Sequence, residues 1–226
     1  MINKVVDSLE QAVAGIFDGA TVLIGGFGGA GHPTDLIHAL IDQGARELTV
    51  VNNNAGNHET GLAALLKAGR VRKIICSYPR AAYGHVFAEL YGAGKIELEC
   101  VPQGTIAERL HAGAAGLGGF YTPTSYGTEL AKDKETREID GINYVFEKPL
   151  KGDFALIMAE KGDCWGNLIY RKAARNFNPI MCQAAAVSIV QVKEVVELGA
   201  LDPEHIVTPS IFVNRLIEIA NPTHSE

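Results

Sequence analysis

One stretch near the N-terminus decides the fold, and it reads Ala20-Thr21-Val22-Leu23-Ile24-Gly25-Gly26-Phe27-Gly28-Gly29-Ala30-Gly31-His32-Pro33-Thr34-Asp35. Its first five residues form a short apolar run that is typical of a buried parallel strand. The glycines end that strand, and the closing Pro-Thr-Asp can begin a helix. Apolar residues then recur at helical spacing until Gly44, which is typical of a helix C-terminus. The stretch therefore predicts a strand, a glycine loop and a helix, the first unit of an α/β fold.

The same alternation continues along the chain. Apolar runs predict strands at residues 48–51, 73–76 and 96–101. Helical spacing predicts helices at residues 61–68, 86–91 and 106–112. Further apolar runs occur at residues 154–158, 180–181 and 187–190. We therefore expect an α/β fold with an open, mainly parallel sheet flanked by helices. We also expect a single domain over residues 1–220, with a short tail at 221–226.

A different pattern occupies the middle of the chain. Asp140-Gly141 stands between strand-like residues 136–139 and 142–146, and a two-residue Asp-Gly link is a strong β-hairpin signal. Residues 113–127 are rich in Gly, Thr, Ser and Tyr and show no periodicity, which predicts a long functional loop. We expect the hairpin to be an insertion in the main fold.

Composition excludes several classes of protein. The 226 residues carry 20 Lys+Arg and 26 Asp+Glu, a formal charge of -6, which disfavours nucleic-acid binding. No apolar run approaches the roughly 20 residues that cross a bilayer, so no membrane association is expected. The N-terminal Met1-Ile2-Asn3-Lys4 does not lead into a signal peptide, so we expect a cytoplasmic protein. The four cysteines and seven histidines show no metal-ligand spacing, and we expect reduced thiols and no metal.

The glycine loop permits two interpretations from its residues alone. Gly26, Gly28 and Gly31 satisfy a G-x-G-x-x-G spacing, which in a dinucleotide site holds pyrophosphate at a helix N-terminus. However, the next strand ends in Asn52-Asn53-Asn54, where a nicotinamide site usually has Asp or Glu for the ribose. The asparagines disfavour a stand-alone dinucleotide-binding module, which is kept only as an alternative. A glycine-rich turn without a ligand is a further alternative.

Polar residues follow three of the predicted strands at their carboxyl ends. Asn53 offers an amide that can stabilise an oxyanion, and Gln103 can hydrogen-bond a carbonyl group. Arg80 can pair with a carboxylate of an acidic substrate. Each also has a structural interpretation, since Asn tolerates turn conformations and Arg is common on surfaces. No G-x-S-x-G elbow or interpretable carboxylate pair occurs, so the sequence predicts a binding crevice without its own nucleophile.

Several motifs, taken in order, resemble one family. Besides residues 18–33 these are Asn53-Asn54-Ala55-Gly56, Tyr126-Gly127-Thr128 and the stretches at residues 102–109, 120–124, 152–156 and 171–178. Together they resemble the alpha subunits of family I coenzyme A transferases over essentially the whole chain. The resemblance implies a CoA-transferase/NagB-like fold. It also implies an enzyme subunit that moves CoA from succinyl-CoA to a 3-oxoacid, with 3-oxoadipate as the first expectation and acetoacetate as the alternative.

The resemblance further implies how the work is divided between two chains. The nucleophilic Glu of the family lies in a Ser-Glu-Asn-Gly motif on a beta subunit, and this chain lacks that motif. Catalysis would therefore require a beta subunit, in an α2β2 assembly. Asn53 and Gln103 would be supporting catalytic residues. The CoA-associated loop would comprise Ile24, Gly25, Gly26, Phe27, Gly28, Gly29, Ala30 and Gly31. The CoA thioester would be a substrate, with no permanently bound cofactor, and Arg80 remains an inference from the acidic substrate alone.

Overall fold

The computed structural model describes residues 2–80 and 83–222, and these form two β-sheets and six α-helices. The strands are β1 Thr21–Ile24, β2 Leu48–Val51, β3 Val71–Cys76, β4 Glu97–Cys100, β5 Phe120–Thr122, β6 Thr136–Ile139, β7 Ile142–Glu147, β8 Gly152–Asp163, β9 Leu168–Ile169, β10 Ala185–Val196 and β11 Arg215–Glu218. The helices are α1 Leu9–Val13, α2 Thr34–Gln43, α3 Gly61–Lys67, α4 His85–Gly92, α5 Gln103–Ala115 and α6 Asn178–Ala184.

The larger sheet has the strand order β11-β10-β8-β1-β2-β3-β4, and all of these neighbours are parallel. Among the described strands of this sheet, only the short β9 runs antiparallel, alongside β8. The chain moves outward from β1 to β4 and then returns to the other side of β1 as β8. This reversal creates a topological switch point, and open α/β sheets bind ligands beyond the carboxyl ends of their strands at such a point.

Both faces of the larger sheet are covered, which explains why its central strands are apolar without alternation. Val22 and Ile24 of β1 pack with residues of α2 and α3 in one core cluster. Leu23, which points to the opposite face, packs with residues of α5 and α6 in a second cluster. Helix α2 ends where Gly44 adopts a left-handed conformation, φ 98°, and donates its N–H to Leu40. The predicted parallel α/β fold is confirmed.

A second, three-stranded antiparallel sheet has the order β5-β7-β6 and contains the predicted hairpin. Asp140 and Gly141 have φ values of 52° and 77°, and two successive positive φ angles fit the type I′ turn that an Asp-Gly link favours. The sheet is attached to the main body at α5. There Leu150 donates its N–H to the carbonyl of Arg109 at 2.7 Å.

Some predicted boundaries were wrong. Residues 113–127 are not one long loop, because α5 extends to residue 115 and β5 lies within the segment. The apolar run at 180–181 belongs to α6, and the predictions omitted α1, β9 and β11. Strands β8 and β10 are each 12 residues long, since their polar ends pair beyond the apolar runs. Residues 223–226 of the predicted tail lie outside the described residues.

The described cysteines are all free thiols. Burial raises the pKa of Cys76 and of Cys182 to about 12, so both stay protonated and unreactive near neutral pH. In the part of the chain that the structure describes, no helix combines the length and the apolar character needed to cross a membrane.

Candidate functional site

A cavity of about 520 Å³ opens beyond the carboxyl ends of β1, β2, β3 and β4. The segment that follows each of these four strands contributes at least one residue to its walls. The lining consists of Phe27, Gly28, Asn53, Asn54, Asn57, Ser77, Tyr78 and Gln103. The parallel arrangement brings these residues together because it places all four carboxyl ends at one edge of the sheet.

The three consecutive asparagines after β2 divide into structural and available groups. Asn52 is fully buried, and its Nδ2 donates to the carbonyl of Ile24 at 2.8 Å. Its Oδ1 accepts from the N–H of Asn54, whose own Oδ1 accepts from the N–H of Gly56. These bonds satisfy the buried backbone of the turn and tie the end of β2 to the end of β1.

Asn53 is held in place while its amide nitrogen stays available. The Ser77 hydroxyl donates to Oδ1 of Asn53 at 2.9 Å, and the N–H groups of Ser77 and Tyr78 donate to the Asn53 carbonyl. Within residues 2–80 and 83–222, Nδ2 of Asn53 donates to no acceptor, although the side chain lines the cavity. An oriented amide donor of this kind can stabilise negative charge that develops on a bound carbonyl oxygen.

Gln103 reaches the same cavity from the next strand. It is the first residue of α5, directly after Pro102, and its side chain is exposed. Its carboxamide makes no hydrogen bond with any residue that the structure describes, so both its donor and its acceptor can serve a ligand. Asn53 and Gln103 therefore present two amide groups to one space.

The glycines of the loop after β1 serve two distinct purposes. A Cβ at Gly25 would overlap Oδ1 of Asn178, and a Cβ at Gly31 would lie 2.5 Å from the carbonyl oxygen of Ala174. In contrast, a Cβ at Gly28 or Gly29 would have no atom within 4 Å. The first pair permits close internal packing, whereas the second pair leaves the tip of the loop open to the cavity and solvent.

Two asparagines from a distant segment hold this loop from below. Asn176 accepts from the N–H of Gly26 at 3.1 Å and donates to the carbonyl of Ala30 at 3.0 Å. Asn178 is fully buried, donates to the Gly31 carbonyl at 3.0 Å, and accepts from the N–H of Met158 in β8. Because these bonds satisfy the loop's backbone groups, they define its conformation.

His32 completes the support under the loop. Its imidazole lies where a Cβ on Gly26 would be, and only 5% of the residue is exposed. Burial lowers the pKa of His32 to about 4, against a weaker raising effect from the Gly28 backbone. The ring is therefore neutral near pH 7 and supports the loop by packing.

The structure unites only part of the predicted site. Phe27 and Gly28 line the cavity with Asn53 and Gln103. The remaining predicted loop residues are either buried below it, as Ile24, Gly25, Gly26 and Gly31 are, or lie at the exposed and half-buried rim, as Gly29 and Ala30 do. Arg80 is exposed and is not among the lining residues, although Tyr78, two positions before it, is.

Sequence reasoning missed several residues that the structure places at the site. Ser77 orients Asn53, and Tyr78 lines the cavity although 60% of it is exposed. Their position directly after β3 was the available signal, because the carboxyl ends of parallel strands meet at one edge. Asn176 and Asn178 lie in one of the family-like motifs, but nothing local in the sequence connects them to the glycine loop.

The chemistry of the cavity is that of hydrogen-bond donors rather than of a nucleophile. Its lining residues include no Cys, Lys, Asp or Glu in the described ranges. Nor does any group of three or more His, Cys, Asp or Glu there have a geometry that suits a metal ion. The cavity can therefore bind and polarise a carbonyl compound, but its lining offers no carboxylate or thiolate to attack one.

The chain is similar to known proteins over nearly its whole length. The family model described as coenzyme A transferase matches residues 6–218. The chain is 62% identical to a subunit of 3-oxoadipate CoA-transferase from Pseudomonas putida, over 100% of this chain and 97% of that protein. It is 50% identical to a subunit of succinyl-CoA:3-ketoacid coenzyme A transferase from Xanthomonas campestris pv. campestris (strain B100), over 94% of this chain and 88% of that protein.

A solved structure shares the fold. It is an acyl-CoA transferase from E. coli O157:H7 in a thioester complex with CoA, and it superposes with a TM-score of 0.84 at 23% identity. The match covers 99% of this chain and 48% of that one, so this chain corresponds to about half of the longer protein. Because the family model and the relatives span nearly the whole sequence, the chain belongs to the coenzyme A transferase family.

Proposed function

We propose that this chain is the alpha subunit of a two-subunit enzyme that transfers CoA from succinyl-CoA to a 3-oxoacid, with 3-oxoadipate as the preferred acceptor. One observation carries the proposal. The cavity is lined by Asn53 and Gln103, which carry amide groups, yet its described lining contains no carboxylate or thiolate that could attack a thioester. A site of this composition is complete only when a second chain supplies the attacking group.

The proposed reaction proceeds through a carboxylate of the partner, a Glu by family resemblance. Its oxygen attacks the thioester carbonyl of succinyl-CoA, and the CoA thiolate leaves to give a mixed anhydride. The thiolate then attacks the glutamyl carbonyl, which releases succinate and leaves CoA as a glutamyl thioester. The carboxylate of the acceptor then attacks the glutamyl thioester, which releases the CoA thiolate and forms a new mixed anhydride. The thiolate attacks the acceptor carbonyl of this anhydride, which gives the CoA thioester of the acceptor and restores the Glu carboxylate. Neither a permanently bound cofactor nor a metal is needed for this balance.

This chain's own residues would act on the carbonyl oxygens. In each step a tetrahedral centre forms with negative charge on one oxygen, and Nδ2 of Asn53 is an oriented donor for that charge. Gln103 would position the acyl group or the partner's carboxylate by a hydrogen bond. The open tip of the glycine loop, at Gly28 and Gly29, would let the thioester arm lie close to the backbone.

A reconstitution experiment tests the proposal. The purified chain, the purified beta chain and a mixture of the two are each assayed with succinyl-CoA and either 3-oxoadipate or acetoacetate. We expect transfer only in the mixture, together with an α2β2 complex in sedimentation. Transfer by this chain alone would contradict the proposal, because it would require a nucleophile within the chain. A cytoplasmic location is part of the proposal, since CoA thioesters are charged and do not cross membranes unaided.

The acceptor is decided by the same assay. The relative that is 62% identical is named for 3-oxoadipate, and the one that is 50% identical is named for 3-ketoacids, which supports 3-oxoadipate first and acetoacetate second. We retain Arg80 as a proposed contact for the additional carboxylate of 3-oxoadipate. The substitution Arg80→Ala should then impair the use of 3-oxoadipate far more than that of acetoacetate, and equal loss would remove Arg80 from the site.

A stand-alone dinucleotide-binding module is the alternative of another class. The glycine loop supports it, but the neighbouring strand end offers Asn53 and Asn54 to the cavity and no carboxylate for a ribose. A calorimetric titration of the chain with NAD⁺ and NADH separates the two functions, and we expect no binding.

A further inference from the structure

A second groove adjoins the cavity at Gln103. This groove has a volume of about 380 Å³ and shares Phe27 and Gln103 with the first cavity. Its far wall comes from residues 175–180, which precede and begin α6, and its near wall includes His111 of α5. Because the two spaces share Phe27 and Gln103, a ligand in the first cavity lies next to the second groove.

Arg175 places a positive charge in the wall of this groove, and two more cationic residues lie close to it in the sequence. Arg175 lines the groove, and Arg171 and Lys172 belong to the same short segment, which is a 3₁₀ helix from Lys172 to Arg175. All three are exposed, and none forms an ion pair with another residue of the described ranges. Three unneutralised cations within five residues are unusual in a chain whose formal charge is -6.

The backbone that carries Arg175 is firmly anchored. The carbonyl of Ala174 accepts from the buried Nδ2 of Asn178 at 2.9 Å, and Asn176 bonds the glycine loop through Gly26 and Ala30. The point at which the Arg175 side chain leaves the backbone is thereby held at a defined place relative to the loop tip, so its guanidinium can reach only a limited region around the groove.

From this juxtaposition we infer that Arg175 forms an anion subsite for the acyl-CoA substrate, binding carboxylate or phosphate oxygens beyond Gln103. The guanidinium suits both anions because its planar N–H groups match two oxygens at once. Two groups of succinyl-CoA meet this description: the distal carboxylate of the acyl chain and the phosphates of CoA. The inference rests on the proposed function, since it assigns part of the substrate of that same site.

The test compares Arg175→Gln with wild type in the reconstituted complex, using succinyl-CoA and succinyl-pantetheine, which lacks the phosphates. We expect the variant to raise KM for succinyl-CoA by about tenfold or more, with kcat within about twofold. Arg175→Lys should recover part of the loss because it restores the charge without the planar fork. Arg46→Gln is the matched control. Arg46 is an exposed arginine just before the amino end of β2, whereas the cavity lies beyond the carboxyl ends of the strands.

The two substrates identify the anion. A KM increase that disappears with succinyl-pantetheine assigns the subsite to a CoA phosphate, and an increase that persists assigns it to the acyl carboxylate. An unchanged KM for both substrates, or a change equal to that of Arg46→Gln, overturns the inference.

Direct binding separates this result from a failure of the proposed function. Calorimetry measures the affinity of the wild-type complex and of Arg175→Gln for CoA and for succinate, without any need for turnover. If no transfer is found with any acceptor but Arg175→Gln still weakens either ligand, the subsite stands and the proposed reaction fails. If the variant and the wild type bind both ligands equally, the subsite fails whatever the activity.

Discussion

At the residue scale, Asn53 has one end of its amide group held and the other open to a ligand. Its Oδ1 accepts a hydrogen bond, whereas its Nδ2 can still donate one. Ser77 fixes the Oδ1 end, so the side chain is oriented before any substrate arrives. We expect Asn53→Ala to lower kcat of the reconstituted enzyme about 10² to 10³-fold, the usual cost of removing one oxyanion donor. The measurement is steady-state kinetics with succinyl-CoA as donor.

The control for that prediction is Asn143→Ala. Asn143 is an exposed asparagine in β7, in the three-stranded sheet. It should leave kcat unchanged, and both variants should assemble with the partner in sedimentation as the wild type does. Full turnover by a correctly assembled Asn53→Ala enzyme would exclude Asn53 from the chemistry.

His32 also yields a prediction at this scale, for stability. Its pKa falls from an ordinary 6.5 to about 4 on folding. Between these two pH values His32 is therefore protonated in the unfolded chain but still neutral in the folded protein. The free energy of unfolding is therefore not reduced by His32 above about pH 6.5, and it decreases as the pH falls from 6.5 toward 4. From pH 7 to pH 5 we expect His32 to cost about 2 kcal/mol of unfolding free energy.

Urea unfolding at the two pH values measures this term when wild type is compared with His32→Gln. Whatever the absolute stability of the variant, its decrease between pH 7 and pH 5 should be smaller by the stated amount. Equal pH dependence in the two proteins would show that His32 becomes protonated in the folded state without cost.

At the element scale, some glycines of the loop after β1 permit close packing against the protein, and others leave the tip of the loop open to a ligand. Gly31 has φ 74° and faces the Ala174 carbonyl, whereas a Cβ added at Gly29 would meet no atom within 4 Å. We expect Gly31→Ala to destabilise the fold by about 3 kcal/mol, because it adds both a steric overlap and backbone strain. Thermal and urea unfolding of the purified chain would measure this loss.

Gly29→Ala is the matched substitution in the same loop. It should change the unfolding free energy by less than about 0.5 kcal/mol, as a substitution outside the core usually does. If the thioester arm lies against the loop tip, the added methyl should raise KM for succinyl-CoA while the fold stays intact. Equal destabilisation by the two substitutions would refute the division of the loop into supporting and ligand-facing glycines.

At the scale of the whole molecule, one side chain joins the two sheets. Arg109 donates from Nε to the Lys148 carbonyl and from Nη1 to Glu99, both at 2.9 Å, and only 12% of its side chain is exposed. Burial of Glu99 opposes its charge, yet the hydrogen bonds from Lys73 and Arg109 hold its pKa below the usual value. Arg109 thus links α5, β4 and the segment that follows the three-stranded sheet.

We expect Arg109→Ala to lower the unfolding free energy by about 2 kcal/mol, since it removes charge-assisted, partly buried hydrogen bonds. Limited proteolysis should accelerate within residues 117–149, because that sheet would detach more readily. Arg72→Ala, which removes the exposed Arg72–Glu97 pair, is the control and should cost less than about 1 kcal/mol. Similar losses in both variants would show that Arg109 does not hold the sheets together.

Local patterns in the sequence determined most of the elements and much of the fold class. Buried runs such as that of β1, the glycine at the end of α2 and the Asp-Gly turn depend on neighbouring residues only, so they could be recognised directly. The sequence also placed Asn53 and Gln103 at strand ends. It did not define the lengths of β8 and β10, whose polar ends are stabilised by pairing with another strand.

Only the tertiary structure decided which of these residues form the site. The crossover connections place β8 beside β1 and create the switch point, and no local pattern specifies that order. Asn178 meets Gly31 across 147 residues of sequence, and Ser77 meets Asn53 across 24. Periodicity describes residues a few positions apart, whereas a binding site depends on contacts between distant segments, which exist only after the sheet has assembled.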